Sequence, residues 1–258
     1  MRLLVLGGCG LVGSMVLPHL AAGHEIRVLD LAPPREPVSG VDYHTGDLRD
    51  VELVARLAEG VDSLVFMAMG PAAPWGTPET ARAHLEVAVV GMYAALTGVH
   101  LAGVRHMVYT SSMSVYPHPL GGDFPAPGEL DPDAGDELGR YPDESTPPNA
   151  GDFYGLAKRL GEEVCRNATA EWGMDAVCLR LCFPTADDEW PRVGTAMQRA
   201  MSTSARDVAA AIDAALRRRG HGFDVYAISG DGDERTMSLA KARRELGWEP
   251  RDNTAAAG

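Results

Sequence analysis

The chain has 258 residues, of which 45% are hydrophobic and 23% charged, and a formal net charge of −13. That length can bury a sizeable core in one large or two small domains, and the composition is that of an ordinary soluble globular protein. The acidic balance argues against a nucleic-acid partner, because a duplex needs a basic surface to neutralise its phosphates.

The start, MRLLVLGGCGLVGSMVL, contains "LGGC", which has the look of a lipoprotein cleavage box with Cys9 as the lipidated residue. Arg2 is the only early charge, and the apolar run Leu3–Leu6 is broken at Gly7 after four residues. An export signal needs about 7–15 uninterrupted apolar residues, and no run elsewhere approaches the ~18 of a spanning helix. The expectation is a cytoplasmic chain with no membrane partner. Its first element is then a buried strand, Arg2–Leu6, followed by a glycine turn and a helix over Leu11–Ala22, kinked by Pro18.

The turn reads Gly7-Gly8-Cys9-Gly10-Leu11-Val12-Gly13, a G-x-x-G-x-x-G spacing between strand and helix. One glycine permits the turn, the next lets backbone approach a pyrophosphate, and the third lets helix and strand pack closely. The helix N-terminus then offers free N–H groups to the phosphates. A second strand, Glu25–Asp30, ends in a carboxylate placed to take the adenosine ribose hydroxyls and repel a 2′-phosphate. The expected cofactor is therefore NAD rather than NADP. A third strand, Val41–Thr45, leads to Asp47 and Leu48, within reach of the adenine.

Further on, the predicted elements are a helix at Val51–Glu59, a strand at Ser63–Ala68, a helix at Pro78–Leu96 and a strand at His106–Ser111 that delivers Ser112. Residues 117–150 hold eight of the eighteen prolines and eight acids against one arginine, which predicts loop throughout. Leaving and re-entering beside the serine strand, this segment is expected to be a lid or a partner contact as readily as a solvated excursion. Then come a helix at Asp152–Glu171, a strand at Ala176–Leu181, a helix at Ala205–Arg218, a strand at Asp224–Ser229 and a helix at Leu239–Leu246. Strands alternating with helices signal an α/β domain with a parallel sheet. The four cysteines, Cys9, Cys165, Cys178 and Cys182, form no CxxC pair and have no zinc spacing with histidine, so free thiols and no metal are expected.

Tyr154 and Lys158 lie four residues apart in "DFYGLAKRLGEE" and share one helix face. A phenol is a poor base at neutral pH. A neighbouring ammonium and an oxidised nicotinamide stabilise its phenolate, and Ser112 supplies a hydrogen bond to a substrate oxygen.

With the glycine loop, "GDLRD", "SSMSVY", "YGLAK", "LRLCFPT" and "AKARRELGWEP", the chain resembles the extended short-chain dehydrogenase/reductases, the NAD-dependent epimerase/dehydratases. The resemblance spans nearly the whole chain. It implies a Rossmann-type doubly wound parallel sheet over residues 1–180, with the acidic loop inserted. Residues 181–258 would be a small substrate-binding part interleaved with the end of the sheet. It implies Ser112, Tyr154 and Lys158 as catalytic residues. Cofactor contacts would come from Gly7, Gly10, Leu11, Val12, Gly13, Asp30, Asp47, Leu48, Met67, Ala68, Met69, Tyr154, Lys158, Cys182 and Phe183.

The departures matter too. The family's V-x-H-L-A-A strand reads Val65-Phe66-Met67-Ala68-Met69-Gly70, its helical N-V-x-G-T reads Ala88-Val89-Val90-Gly91-Met92, and Phe183 stands where nucleotide-sugar members carry asparagine. Phe183 and the short stretch after Lys158 favour a substrate smaller than a nucleotide sugar. The size and the "CFP" segment are similar to those of the uronate dehydrogenases. The expected activity is hydride transfer between NAD and a secondary alcohol or lactol carbon of a small sugar-like molecule. The alternatives are a nucleotide-sugar epimerase or dehydratase and a non-catalytic NAD-binding sensor. A homodimer is left open.

Overall fold

Seven strands pair in parallel in the order β3-β2-β1-β4-β5-β6-β9, in a computed structural model that describes residues 1–117, 141–190 and 201–252. They are β1 (Arg2–Leu6), β2 (Glu25–Asp30), β3 (Val41–Thr45), β4 (Ser63–Phe66), β5 (His106–Ser112), β6 (Asp175–Leu181) and β9 (Phe223–Ile228). Two short strands, β7 (Pro184–Thr185) and β8 (Thr203–Ser204), pair separately; at two residues each they leave no periodic signal in the sequence. The helices are α1 (Leu11–Leu20), α2 (Val51–Leu57), α3 (Pro78–Leu85), α4 (Met92–Leu101), α5 (Phe153–Trp172) and α6 (Ala205–Arg217).

Alternation along each strand builds both faces of the core. Leu3 and Val5 of β1 join Val16 and Leu17 of α1 and Ile212 and Leu216 of α6 on one face. Leu4 and Leu6 point the other way, to Val54 of α2, Leu96 and Val99 of α4, and Cys165 and Ala168 of α5. Helices on both faces of an all-parallel sheet make this the expected doubly wound Rossmann-type fold. Strand order reverses between β1 and β4, and open α/β sheets bind ligands at such a switch, beyond the carboxyl ends of the strands.

Two helices differ from their sequence reading. The span from Pro78 is interrupted by a π-helical segment, Glu86–Gly91, before α4 continues to Leu101. This segment includes Ala88, where the family's asparagine is replaced. Leu239–Leu246 forms instead a π-helical segment at Ala242–Leu246, closed by left-handed Gly247. Hydrophobic periodicity alone does not separate α from π winding. Residues 78–101 are long and apolar enough to cross a membrane by composition, but Met92, Ala95, Leu96 and Val99 are fully buried against the protein's own core. Most of the acidic 117–150 segment lies outside the described residues. Its return is anchored: Tyr141 donates its N–H to the Thr236 carbonyl at 2.8 Å, and the Tyr116 hydroxyl reaches the carbonyls of Asp143 and Thr146, each at 2.9 Å.

Candidate active site

The glycine turn works through what it lacks. Gly7 has φ +82°, a conformation side chains avoid, and a Cβ there would meet Ala68 backbone at 2.4 Å. A Cβ on Gly13 would meet the Gly8 carbonyl oxygen at 2.4 Å, so Gly13 lets α1 close onto the turn. Gly10 caps α1 with no side-chain acceptor, which leaves the first N–H groups and the positive end of the helix available to an anion.

Beyond this turn lies a cavity of about 530 Å³ lined by Gly7, Gly10, Leu11, Val12, Asp30, Asp47, Leu48, Met67, Ala68 and Met69, ten of the residues expected to touch the cofactor. Gly46, Arg49, Gly70–Ala72, Glu86 and Val87 also line it. The sequence reading did not single these out: Gly46, Arg49 and Gly70 stand inside the stretches "GDLRD" and Val65–Gly70 that it quoted, whereas Pro71, Ala72, Glu86 and Val87 carry no motif of their own. Asp30 Oδ2 accepts the Cys9 N–H at 2.9 Å, tying the end of β2 to the turn. The Asp47 carboxylate is gripped by Arg49, with Nε at 2.9 and 3.0 Å and Nη2 at 2.5 Å. The arginine's hydrogen bond holds that carboxyl below its usual range. Gly13, Tyr154, Lys158, Cys182 and Phe183 lie outside the lining of this cavity. Cys182 is fully buried with its Sγ 2.9 Å from Met113 Sδ, and Phe183 takes a left-handed φ of +37° where the chain leaves β6.

The chemical groups assemble where β5 meets α5. Asp152 caps α5 by accepting the Gly155 N–H at 2.6 Å. A Cβ on Gly155 would sit 1.9 Å from the Ser114 carbonyl oxygen, so only glycine lets the first turn of α5 lie directly on the chain that follows Ser112. There the Ser112 hydroxyl donates to Ser114 Oγ and accepts the Ser114 N–H, each at 3.1 Å. Burial raises the pKa of the Tyr154 phenol, and the Ser112 hydrogen bond partly offsets the rise. Lys158 is buried, donates to the Thr110 carbonyl at 2.7 Å and stands 5.8 Å from the Tyr154 ring centroid. Burial lowers its pKa to about 8, with Glu162 acting in the opposite direction.

Glu162 extends the same helix face by one more turn and was not singled out from sequence. The i, i+4, i+8 series from Tyr154 through Lys158 is the signal that could have found it. It accepts Ser111 Oγ at 2.7 Å and Arg180 through Nε at 2.9 Å and Nη2 at 2.8 Å. Arg180 Nη1 donates to the Tyr116 hydroxyl at 2.5 Å. A buried chain of polar contacts therefore runs from β5 and α5 through β6 to the returning segment at 143–146.

A seven-stranded parallel sheet with a glycine turn at its switch point is the frame of a dinucleotide-binding enzyme. Residues 3–202 match the model of the NAD dependent epimerase/dehydratase family, and the chain belongs to that family, whose cofactor is NAD. It is 28% identical to the L-arabinose 1-dehydrogenase (NAD(P)(+)) of Haloferax volcanii, over 98% of both chains. Among solved structures, the dTDP-glucose 4,6-dehydratase DesIV of Streptomyces venezuelae superposes with a TM-score of 0.76 at 21% identity, over 100% of this chain and 94% of that one. The uronate dehydrogenase of Agrobacterium tumefaciens superposes at 0.72 and 22%, over 99% and 86%. These two likenesses show the fold and leave the substrate open.

Proposed function

We propose that this enzyme is a cytoplasmic dehydrogenase that oxidises a secondary alcohol or lactol carbon of a small free sugar, with Tyr154, Lys158 and Ser112 as its catalytic residues. The observation that carries the reading is the meeting of the Ser112 hydroxyl, the Tyr154 phenol and the buried Lys158 ammonium at the carboxyl end of β5. NAD suits the glycine turn, where a Cβ would fill the cradle. Gly7, Gly10 and the first N–H groups of α1 would hold its pyrophosphate, and Asp30 the adenosine ribose. When bound, NAD supplies the hydride acceptor.

The chain's own residues do the rest. Ser112 orients the substrate hydroxyl by hydrogen bonding, and Tyr154 takes its proton. Alone, the buried phenol is held too high to be an effective base. Lys158 keeps its positive charge at neutral pH, and at this range in a low-dielectric site it stabilises the phenolate. Glu162, its charge anchored by Arg180, favours the charged form of Lys158. A small substrate is favoured where β6 ends: Phe183, in place of the asparagine of nucleotide-sugar members, packs on the buried cluster of Met113, Cys182, Met201 and Met237 and offers no amide to a nucleotide diphosphate.

The test incubates the protein and NAD with L-arabinose, D-glucuronate or dTDP-glucose and follows NADH absorbance together with the products. NADH formation from a free sugar is expected. Conversion of dTDP-glucose without net NADH would replace this reading by an epimerase or dehydratase. Tight NAD binding with no product from any sugar would favour a sensor.

A further inference from the structure

Trp75 lies on the loop between β4 and α3 and is 55% exposed. Its ring centroid is 5.6 Å from that of Tyr154, 4.8 Å from Phe153 and 5.7 Å from His84. One side of the indole is thus seated on an aromatic cluster that includes the proposed base, while half its surface faces solvent. The loop that carries it is tied down. The Thr80 hydroxyl donates to the Pro74 carbonyl at 2.5 Å, Thr80 N–H donates to Thr77 Oγ1 at 3.2 Å, and His84 Nε2 donates to the Pro71 carbonyl at 3.1 Å. Burial also lowers the His84 pKa, so this ring is neutral at pH 7. The same loop lines the cofactor cavity through Gly70, Pro71 and Ala72.

A packing role alone would be served best by burying the indole, since exposed apolar surface forgoes about 25 cal/mol per Å². A fixed, exposed aromatic surface beside a reacting group is instead a ready contact for a ligand. The flat face of an indole is apolar and carries partial negative charge. Its complement is a flat face of weakly positive C–H groups with polar groups confined to the rim. A pyranose chair has that shape: several C–H bonds share one face, and the hydroxyls at the edge remain free for Ser112 and Tyr154. An open-chain polyol has the same hydroxyls but no such face.

We propose that Trp75 is the platform on which the substrate's ring stacks, and that the substrate is therefore a sugar bound as a closed pyranose. The proposal rests on the reading of the Tyr154 site as a sugar-oxidising centre, and its test separates the two. The NAD complex is titrated with L-arabinose and D-glucuronate, both closed rings in water, and with the open-chain L-arabinitol, while tryptophan emission and NADH are followed. At least one ring sugar should change the emission of the wild type and leave that of Trp75→Phe unchanged, although Trp172, Trp190 and Trp248 remain. Trp75→Ala should raise KM for that sugar by about 3- to 10-fold, with kcat and the KM for NAD within about twofold, and Trp75→Phe should recover most of the loss. A fall in kcat at constant KM would overturn the proposal, because it makes Trp75 only a prop for Tyr154. A rise in the KM for NAD would do so by making it a nicotinamide contact, as would L-arabinitol acting like L-arabinose. If Trp75→Ala does not fold, the emission arm with the wild type and Trp75→Phe decides. A Trp75 emission change without NADH would uphold stacking and defeat the sugar-oxidation reading, whereas neither signal with either sugar would defeat both.

Discussion

At the glycine turn the chain presents backbone: three glycines, the uncapped start of α1, and carboxylates at the rim that remain in contact with solvent. At the Tyr154 end it presents side chains, and the charges among them are sealed. Lys158, Glu162 and Arg180 are 6%, 2% and 4% exposed. The contrast follows from the two tasks that the proposed function sets. Holding a pyrophosphate needs N–H groups and close approach, which a turn supplies without burying any charge. Moving a proton off a sugar hydroxyl needs a strong local field, and fields are strong only where water is excluded. On that proposal the turn is damaged by adding a methyl group, and the Tyr154 end by removing a charge.

The largest effect is expected at the proposed proton acceptor, Tyr154. Tyr154→Phe keeps the ring packed against Trp75 and His84 and removes only the hydroxyl, so turnover should fall by about 10²–10⁴, while NAD affinity, set by the glycine turn, stays near that of the wild type. Stopped-flow turnover combined with calorimetric NAD titration checks both halves. Near-normal turnover would place the base elsewhere.

Next is the sealed ion pair. Glu162→Gln leaves Arg180 charged and buried without its partner, which costs about 3–5 kcal/mol of stability. Replacing both residues, as Glu162→Met with Arg180→Met, should cost much less, because no charge is stranded. Urea unfolding of the two variants gives the comparison. Glu162→Gln also removes the group that favours charged Lys158, so the lysine's pKa should drop below about 8. Lys158 and Lys241 are the only lysines in the chain, so an NMR titration of the ¹³C-methylated protein reads this directly. An unmoved Lys158 would reduce Glu162 to a structural residue.

Lys158 itself ties stability to pH. Its pKa is lowered on folding from 10.5 to about 8, so the unfolded chain holds this proton more tightly. Below pH 8 both states are charged and the folded protein bears the whole penalty, on the order of 3 kcal/mol. Between about pH 8 and 10.5 the folded state sheds the proton first and the penalty disappears, so this residue's contribution to stability rises with pH. Lys158→Met should abolish activity yet stabilise the protein at pH 7 by about 2 kcal/mol, after allowing about 1 kcal/mol for the lost hydrogen bond to Thr110. The gain should vanish near pH 10 and become a loss of about 1 kcal/mol by pH 11, where only the missing hydrogen bond counts. A variant less stable than wild type at pH 7 would show that the buried ammonium costs nothing.

The same division explains what could be read from the sequence. The turn was legible because its pattern is local: glycines at fixed spacing, a strand before, a helix after and a carboxylate ending the next strand. Tyr154 and Lys158 were legible because helical periodicity is local too. Arg180 reaches Glu162 across 18 residues and Tyr116 across 64, and Trp75 meets Tyr154 from a different loop. Such partners are brought together only by the sheet, and a one-dimensional pattern holds no trace of them. The helix at 78–101 shows the same limit in a milder form. Its existence follows from periodicity, but the π segment at 86–91 does not. There Gly91 lies close to the loop after β3: a Cβ on it would come within 2.8 Å of Leu48 Cδ1.

The smallest effect tests the exposed end. The relative from Haloferax volcanii carries both NAD and NADP in its name, whereas Asp30 argues for NAD here. Its Oδ2 is fixed by the Cys9 N–H, and the next residue, Leu31, is exposed and uncharged. The cation that lines the cavity, Arg49, is spent on Asp47. A 2′-phosphate would therefore meet a carboxylate, and the arginine that lines the cavity is already paired, which at a solvent-screened rim amounts to about 1–2 kcal/mol, or roughly tenfold in affinity. Asp30→Ala should narrow the NAD-over-NADP preference by that factor, mainly by weakening NAD, since the ribose hydroxyls lose their acceptor. Asp47→Asn should act in the other direction on the phosphate: by loosening Arg49 it should improve NADP binding and leave NAD nearly unchanged. Calorimetry with both dinucleotides on the wild type and the two variants resolves these shifts, and a wild type that binds NADP as tightly as NAD would refute the role given to Asp30.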